Sequence, residues 1–491
     1  MRTSKISKYS ACIILAANSL SASAQNAIDA SKYAQSNPLA TARSVGFGGA
    51  LGSVGGDMGS LSVNPAGLGV YRSSEFIFTP GLRFSGTNSS YNSTEMNDNG
   101  TRFGLNSLGF VYTSAVNDKD YDRADWKAIS FGLGLNRSAE YSRNYNYGGK
   151  NYTSSASQYF EGDAFKYPNS TTADPGTPAY LGYQSYLLSN LYTTYVPYNR
   201  GIQQLKTVNE KGGATDLNLS LGGNYQDKLM LGATLGFNFL NHKVNSTMSE
   251  ETFTMNEVDS FDHFNYTENF KTIGTGVNLK LGAIYKFNDN FRAGLAIHTP
   301  TAYGLTETSD NNINVSSLKY GNNTVSTSPN EYNYNFYTPF KAVVSATAIL
   351  GKLGFISADY EFVGYSGMRY KLDDLNYQNT LNSLIQNLYQ SNSNVRVGAE
   401  IRLDDFRLRA GYGYYGSPFK NKLYQGDRQD ISFGMGYRFG NTFVDLAVIN
   451  SSYKTYEQPY VLDGALGYVQ PNMASINNSL TSGLLTIGWK F

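Results

Sequence analysis

The chain has 491 residues, of which 41% are hydrophobic and 16% charged, with a formal net charge of +1. So even a balance excludes a nucleic-acid binder, which carries a basic excess. The lack of any run of about 18 apolar residues excludes membrane-spanning helices. Fifty glycines and 40 tyrosines against 13 prolines point instead to β-structure with aromatic side chains at an interface, and one large barrel accounts for the length as a single domain.

At the N-terminus, Arg2, Lys5 and Lys8 precede a short apolar stretch, 11–17, and small residues ending in Ala22-Ser23-Ala24. This pattern predicts a secretory signal over 1–24, cleaved after Ala24. The apolar stretch is too short for an anchor. Cys12 raises a lipoprotein reading, but Tyr9 stands where a lipobox has leucine. The single cysteine lies inside the signal, so the exported chain must be held by something other than disulfides. Removing the three bases takes the formal charge from +1 to −2.

Residues 25–72 do not alternate. They carry Gly46-Phe47-Gly48-Gly49-Ala50, then Gly55-Gly56-Asp57, then Asn64-Pro65-Ala66-Gly67-Leu68. Glycine at this density permits positive φ and close backbone packing, and Asn-Pro favours a fixed turn. A phosphate loop is excluded, because no Lys-Ser/Thr follows and no strand and helix frame the glycines. Phe47, Leu51, Val54, Met58, Leu61, Val63 and Leu68 need cover, which the lumen of a wide barrel would supply. The segment is expected to be a small plug, with Gly48, Gly49, Asn64, Pro65, Ala66 and Gly67 as its gating elements.

From residue 73 to 491 the dominant signal is alternation with period two. Strands are expected near 74–84, 102–114, 127–138, 214–226, 228–241, 270–287, 290–299, 337–350, 353–364, 394–403, 406–415, 429–439, 442–451 and 481–491. Each has one apolar face and one polar or glycine face. A soluble sandwich would alternate too, but the linkers discriminate. One set is short, such as Gln226-Asp227 and Asn288-Asp289; the other is mostly long and rich in Asn, Ser, Thr and Tyr, such as 139–213 and 242–269. Short turns at one end and long loops at the other mark an outer-membrane antiparallel β-barrel of about fourteen strands. A lipid-facing Arg or Lys costs roughly 2–4 kcal/mol at mid-bilayer. Arg292, Arg396, Glu400, Arg402, Arg407, Arg409, Arg438 and Asp445 all fall on the parity opposite the apolar residues, so all can point inward. Most of these charges are expected to satisfy one another; Arg292, Arg402 and Arg438 are the candidates for holding a ligand carboxylate by paired hydrogen bonds.

Two stretches have helical spacing, Tyr377–Leu381–Leu384–Ile385–Leu388 and, less cleanly, 181–195. Both lie in long loops, where they serve as loop packing or as an apolar landing site for a greasy ligand. The last strand ends Leu485, Ile487, Trp489, Phe491, the aromatic-alternating terminus by which outer-membrane barrels resemble one another, and it implies the barrel assembly machinery as a partner. The three histidines, His242, His263 and His298, sit with no nucleophile or metal-ligand spacing that would make a catalytic or metal site, so no enzyme activity, cofactor or metal is expected.

The run Val45-Gly46-Phe47-Gly48-Gly49-Ala50 through Ser62-Val63-Asn64-Pro65-Ala66-Gly67-Leu68 resembles the N-terminal hatch of the FadL family. Ser357-Ala358-Asp359-Tyr360-Glu361-Phe362-Val363-Gly364-Tyr365, Arg396-Val397-Gly398-Ala399-Glu400 and Leu408-Arg409-Ala410-Gly411-Tyr412 with Ser417-Pro418-Phe419 are similar to its later strands. That family comprises outer-membrane channels for long-chain fatty acids and aromatic hydrocarbons, some members being labelled haemin receptors. The resemblance implies a fourteen-stranded barrel closed by a hatch, with both termini periplasmic. Ligand is captured by external loops and leaves sideways through a gap in the wall. The expected function is passive transport of hydrophobic compounds such as fatty acids, with outer-membrane lipid around the barrel and no nucleic-acid partner. The alternative is a receptor, adhesin or haemin-binding protein acting through its loops. A TonB-linked transporter needs a plug of well over a hundred residues, far more than 25–72 supplies.

Overall fold

The computed structural model describes residues 27–35, 40–117, 119–168, 174–253 and 261–491; the expected export signal lies outside them. Nineteen strands among these residues join in one antiparallel sheet. They are β1 (Glu75–Tyr91), β2 (Thr94–Ala115), β3 (Trp126–Glu140), β4 (Arg143–Asn151), β5 (Ile202–Tyr225), β6 (Leu229–Thr252) and β7 (Phe261–Lys286). There follow β8 (Phe291–His298), β9 (Ala302–Ser317), β10 (Gly321–Ser326), β11 (Asn330–Tyr337), β12 (Lys341–Ile349), β13 (Gly354–Gly364) and β14 (Arg369–Lys371). The last are β15 (Ser391–Leu403), β16 (Phe406–Tyr415), β17 (Arg428–Phe439), β18 (Thr442–Glu457) and β19 (Ala474–Lys490). Several are pieces of one interrupted stave: β3 and β4 both pair β5, β8 and β9 both pair β7, β10 to β12 pair β9 and β8, and β14 extends β13. Counted so, there are fourteen staves, and β1 against β19 closes the cylinder from Glu75↔Lys490 to Ser90↔Ser475. No described helix is long and apolar enough to cross a membrane.

All fourteen expected strands are present, and their apolar parity faces outward. Phe78, Phe131, Leu231, Leu281, Val344, Phe433 and Trp489 are exposed, as lipid contact requires. The long linkers differ from expectation, because much of their length is strand. β1 and β2 continue as a hairpin to a turn at Asn92-Ser93, both at positive φ, and β6 and β7 stay paired as far as Glu251↔His263. Here Asn, Thr and Ser bond across the outer face, as in Asn245–Asn269 (2.7 Å), Thr247–Thr267 (3.0 Å) and Ser249–Asn265 (2.6 Å). A sheet beyond the bilayer meets water outside, so it carries no apolar alternation to read. Of the two helical stretches, Leu375–Leu388 is a helix burying Leu381 and Ile385, whereas 181–195 supplies only the end of a short helix, Pro178–Gln184.

The segment before β1 runs inside the cylinder. It contains short helices Ala30–Ala34, Ala42–Gly46 and Ser60–Val63 and a 3-10 turn, Pro65–Val70. The glycine face of the staves is its seat. A methyl group added at Gly411 would overlap the Gly48 backbone, one at Gly398 the Phe47 carbonyl, one at Gly232 Pro65, and one at Gly294 the Gly52 carbonyl. Gly48 itself has φ +70 and lies against Gly411 and Tyr412, a conformation that favours glycine. Gly411→Val is therefore expected to leave a closed, heat-modifiable barrel while unseating residues 40–72. Limited proteolysis of the folded protein, together with conductance in planar bilayers, reads both effects; protection of 40–72 equal to wild type is the contrary result.

Candidate functional site

Three features share the lumen: a lower plug, a polar cavity above it and an aromatic cluster above that. The plug is tied down by polar contacts around its rim. Thr41 caps the 42–46 helix by accepting from Ser44 N and donates to Asp57 Oδ2 (2.9 Å). Arg43 reaches Glu400 of β15 (3.1 Å), Asp57 (3.8 Å) and the Gly56 carbonyl (2.9 Å). Glu400 is bonded in turn by Arg409 (2.8 Å), which also pairs Asp445 (2.6 Å). On the opposite side Gly52 N donates to Asp359, itself paired with Arg396 (3.4 Å).

The six plug residues singled out by sequence sit at the tightest seats. Asn64 Nδ2 donates to Gly52 O (2.6 Å) and faces the Ala283 and Leu295 carbonyls (3.3 and 3.4 Å), while its Oδ1 accepts from Ala66 N (3.1 Å). Pro65 opens the 3-10 turn, where its missing N–H costs nothing. Gly67 packs against Ser60 and Gly55, and Gly48 and Gly49 both take positive φ.

The three candidate arginines lie lower, towards the short-turn end. Arg292 donates to the Val54 carbonyl (3.2 Å), Arg402 pairs Glu400 (3.2 Å) and remains half exposed, and Arg438 stacks over Phe443 (5.8 Å). Parity placed them inward, but it carries no information on depth. The basic side chains that line the cavity are Arg137, Lys280, Lys341 and His298, together with Asp216 and Glu361, in a space of about 70 Å³. Lys280 is 3.1 Å from Asn218 Oδ1 and 3.8 Å from Asp216, and His298 meets the Val63 carbonyl (2.9 Å). Nothing in the spacing distinguished these positions from other lumenal polar residues.

Above the cavity, residues 27–35 form an arm that sequence reading merged with the plug. Tyr33 is buried edge-on to Tyr141, His242 and Phe336 (ring centroids 6.4, 5.8 and 6.2 Å) and donates to Thr272 (3.1 Å). Tyr389 donates to the Ile28 carbonyl (2.7 Å), and Lys32 pairs Glu210 (2.7 Å). With Tyr303, Leu240, Val363 and Tyr370, these rings make one apolar cluster. Two histidines expected near an outer loop are on strands: His242 is buried beside the arm, and His263 pairs Asp262.

One side of the wall is incomplete. β2 pairs β3 only from Ser107↔Asn136 to Ala115↔Ala128. Beyond that point β2 keeps β1 alone, and β3 bulges between Arg137 and Ala139. β4 then turns inward: Thr87 donates to the Asn144 carbonyl (2.9 Å), and Tyr145 and Tyr147 are buried and donate to Glu457 (2.6 and 3.2 Å). The mouth of the break is framed by Arg83, Arg137 and Glu140 (Arg83–Glu140 3.6 Å, Arg137–Glu140 3.4 Å). Asn106 donates across it to the Ala40 carbonyl of the inner segment (2.8 Å). Tyr141 of the aromatic cluster follows directly. Phe84, Leu105 and Phe103 face outward beside the break, Phe103 at 77% exposure.

A closed fourteen-stave barrel with an apolar girdle, a filled lumen and a wall break at membrane depth is the architecture of an outer-membrane transport protein. The family model described as outer membrane protein transport protein (OMPP1/FadL/TodX) matches residues 194–457, more than half of the chain, and the chain belongs to that family. In fold it is similar to a Pseudomonas aeruginosa FadL homologue, at 13% identity over 93% of this chain and 100% of that one, with a TM-score of 0.59. It is likewise similar to the Pseudomonas putida toluene transporter TodX, at 16% identity over 93% and 100%, TM-score 0.52. No curated protein matches the sequence.

Two predictions follow the polar contacts. Arg43→Met leaves the Asp57 carboxylate buried without its cation, while Arg409 still serves Glu400. The inner segment is expected to lose about 3 kcal/mol of opening free energy, the lower end for a broken buried pair. Hydrogen exchange of 41–60 in the folded barrel measures it, and unchanged protection contradicts it. At the far end, buried Glu250 accepts from Ala156 N (2.7 Å), Ser155 Oγ and Gln204 Nε2 (2.6 Å). Burial outweighs these donors and pushes its carboxyl up to about 7. Its folded value exceeds the ordinary one, so the proton is held more tightly in the folded protein. Stability is full at acid pH and is lost as pH rises from the ordinary carboxyl range through about 7. Exchange in 151–166, corrected for intrinsic rate, is expected to quicken as pH rises from about 4.5 to about 7 in the wild type, to level off above that, and to lose this pH dependence in Glu250→Gln.

Proposed function

We propose that this protein is a passive, non-enzymatic channel for hydrophobic small molecules such as fatty acids or aromatic hydrocarbons, gated by residues 25–72 acting as a hatch. The long hairpins lie outside the cell and the short turns and both termini in the periplasm. Cargo enters from the hairpin end into the aromatic cluster, the arm swings out of it, and cargo leaves through the break between β2 and β3.

The observation that carries this reading is the break itself. It lies beside Phe84, Phe103 and Leu105, on the lipid-facing parity, and Tyr141 joins it to the cluster that Tyr33 fills. An outlet into hydrocarbon suits a molecule that partitions there and offers a hydrophilic solute nothing. Glu140, Arg137 and Arg83 close it through ion pairs that also face the lumen, and the hatch covers it through Asn106 and Ala40. Gating therefore needs movement of the hatch, with no covalent step.

Deleting residues 26–60 is expected to raise uptake of oleate and of a toluene analogue into proteoliposomes while the barrel stays folded. Deleting Ser138, the extra residue of the β3–β5 bulge just past the last β2–β3 pair, is expected to abolish uptake in a barrel that still folds. Unchanged uptake in both variants overturns the proposal; loss of uptake with the first deletion and none with the second points instead to binding by the outer hairpins.

A further inference from the structure

Three neighbouring staves place like charges opposite one another on the outer surface. Lys211 of β5 pairs in register with Lys243 of β6, and Lys243 with Lys271 of β7. All three are exposed, and among the described residues none makes an ion pair. Directly opposed like charges on adjacent strands are destabilising, and here the arrangement occurs twice in one row. The carboxylates nearby belong to other partners or the other face. Asp310 accepts from Asn269 (2.9 Å), Glu210 is inside with Lys32 and Arg143, and Glu268 pairs Lys206 (3.4 Å).

The height of the row identifies what meets it. On β6 the outward residues from Leu229 to Phe239 are apolar, ten steps that rise about 25 Å at ordinary strand tilt, the height of a barrel's lipid-facing band. Lys243 lies four residues higher, about 10 Å along the tilted stave, and a lysine stem leans its ammonium back by several ångströms. The polar headgroup layer adds roughly 5–8 Å to the hydrocarbon on each side, so the three ammoniums stand at phosphate depth. They span two strand spacings, about 10 Å. Asn209, Asn245 and Asn269 form the next row up, offering amides to sugar hydroxyls.

We propose that Lys211, Lys243 and Lys271 form a binding site for the phosphates of a phosphorylated glycolipid of the outer leaflet. The orientation rests on the reading above that the hairpins face outward; the site's chemistry does not, and detergent binding tests it separately from transport. Lipid phosphate supplies the counter-charge that the row lacks, so the lipid fixes this flank of the barrel, which begins on β5, the stave next to the β3 side of the wall break.

Native mass spectrometry of the delipidated, folded protein in neutral detergent, titrated with bis-phosphorylated lipid A and with its dephosphorylated form, tests the site. The wild type is expected to prefer the phosphorylated lipid, and Lys211→Gln/Lys243→Gln/Lys271→Gln to lose about a hundredfold of that affinity, the sum for three lysines at an anionic surface. The triple Lys→Arg variant is expected to retain binding, and Lys228→Gln/Lys352→Gln, at the short-turn end, to leave it unchanged. If the triple Gln variant fails to fold, Lys243→Gln alone is the test: it relieves repulsion, so its melting temperature without lipid rises while the stabilisation by lipid A shrinks. Equal binding of the two lipids, equal binding by the Gln variant, or inorganic phosphate alone reproducing the full stabilisation would each overturn the proposal.

Discussion

A strand that meets hydrocarbon must hydrogen-bond every amide it presents there, because no water is available to do so. This constraint produces the closed cylinder, with β1 zipped to β19 from Glu75 to Ser90 apart from the step at Thr79-Pro80. It also makes any lapse in the ladder informative. The lapse beyond Ser107↔Asn136 does not leave bare amides facing lipid unassisted: Arg83, Asn106, Arg137 and Glu140 cluster there, and the inner segment brings its own carbonyl to Asn106. The break is thus sealed from inside, and the sealing element is the part of the chain that is not wall.

That dependence explains the glycine face of the staves. A barrel this wide has a lumen to fill, and side chains from the wall alone would fill it permanently. Glycine at 398, 411, 232 and 294 lets a separate piece of backbone approach the sheet closely. Specific polar contacts, Arg43 to Glu400 and Gly52 to Asp359, then decide where that piece sits. Buried ion pairs are poor sources of stability but effective at fixing one arrangement over others, because a misplaced plug strands charges.

The wall was legible in the residue order because lipid imposes a period of two on it; each of the fourteen staves betrays itself through outward Phe, Leu, Ile and Val. The staves' continuation past the bilayer left no such trace, since Asn245, Thr247 and Ser249 face water and their inward neighbours mix Val244 and Met248 with Ser246 and Glu250. Gly48, Asn64 and Pro65 were recognisable because a backbone turn and a close approach restrict residue type. Lys280 and Lys341 were not, because parity tells inside from outside and nothing about height, and for the same reason Arg292, Arg402 and Arg438 could be turned inward without being placed at the cavity. The break escaped notice because the end of a pairing at Ser107↔Asn136, like the single extra residue at 138 beside it, carries no turn signal.

The polarity of the cavity beneath Tyr33 follows from the same division of labour. Deeper down, the plug packs Phe47, Met58 and Leu61 against Phe355, Ile77 and Val111, contacts whose exposure costs roughly 25 cal/mol for each Å². A rim of Asn106, Asn136, Asn218, Ser62 and Arg43 exchanges its protein partners for water already admitted to the lumen, so each released group recovers most of what it loses. Above the cavity the apolar surface is the cluster around Tyr141, Phe336 and Tyr303, which the arm's own Tyr33 and Ala30 keep covered. Under the proposed function, movement and cargo binding fall to different chemistries in adjoining layers, and the arm, apolar like the proposed cargo, is the piece that couples them.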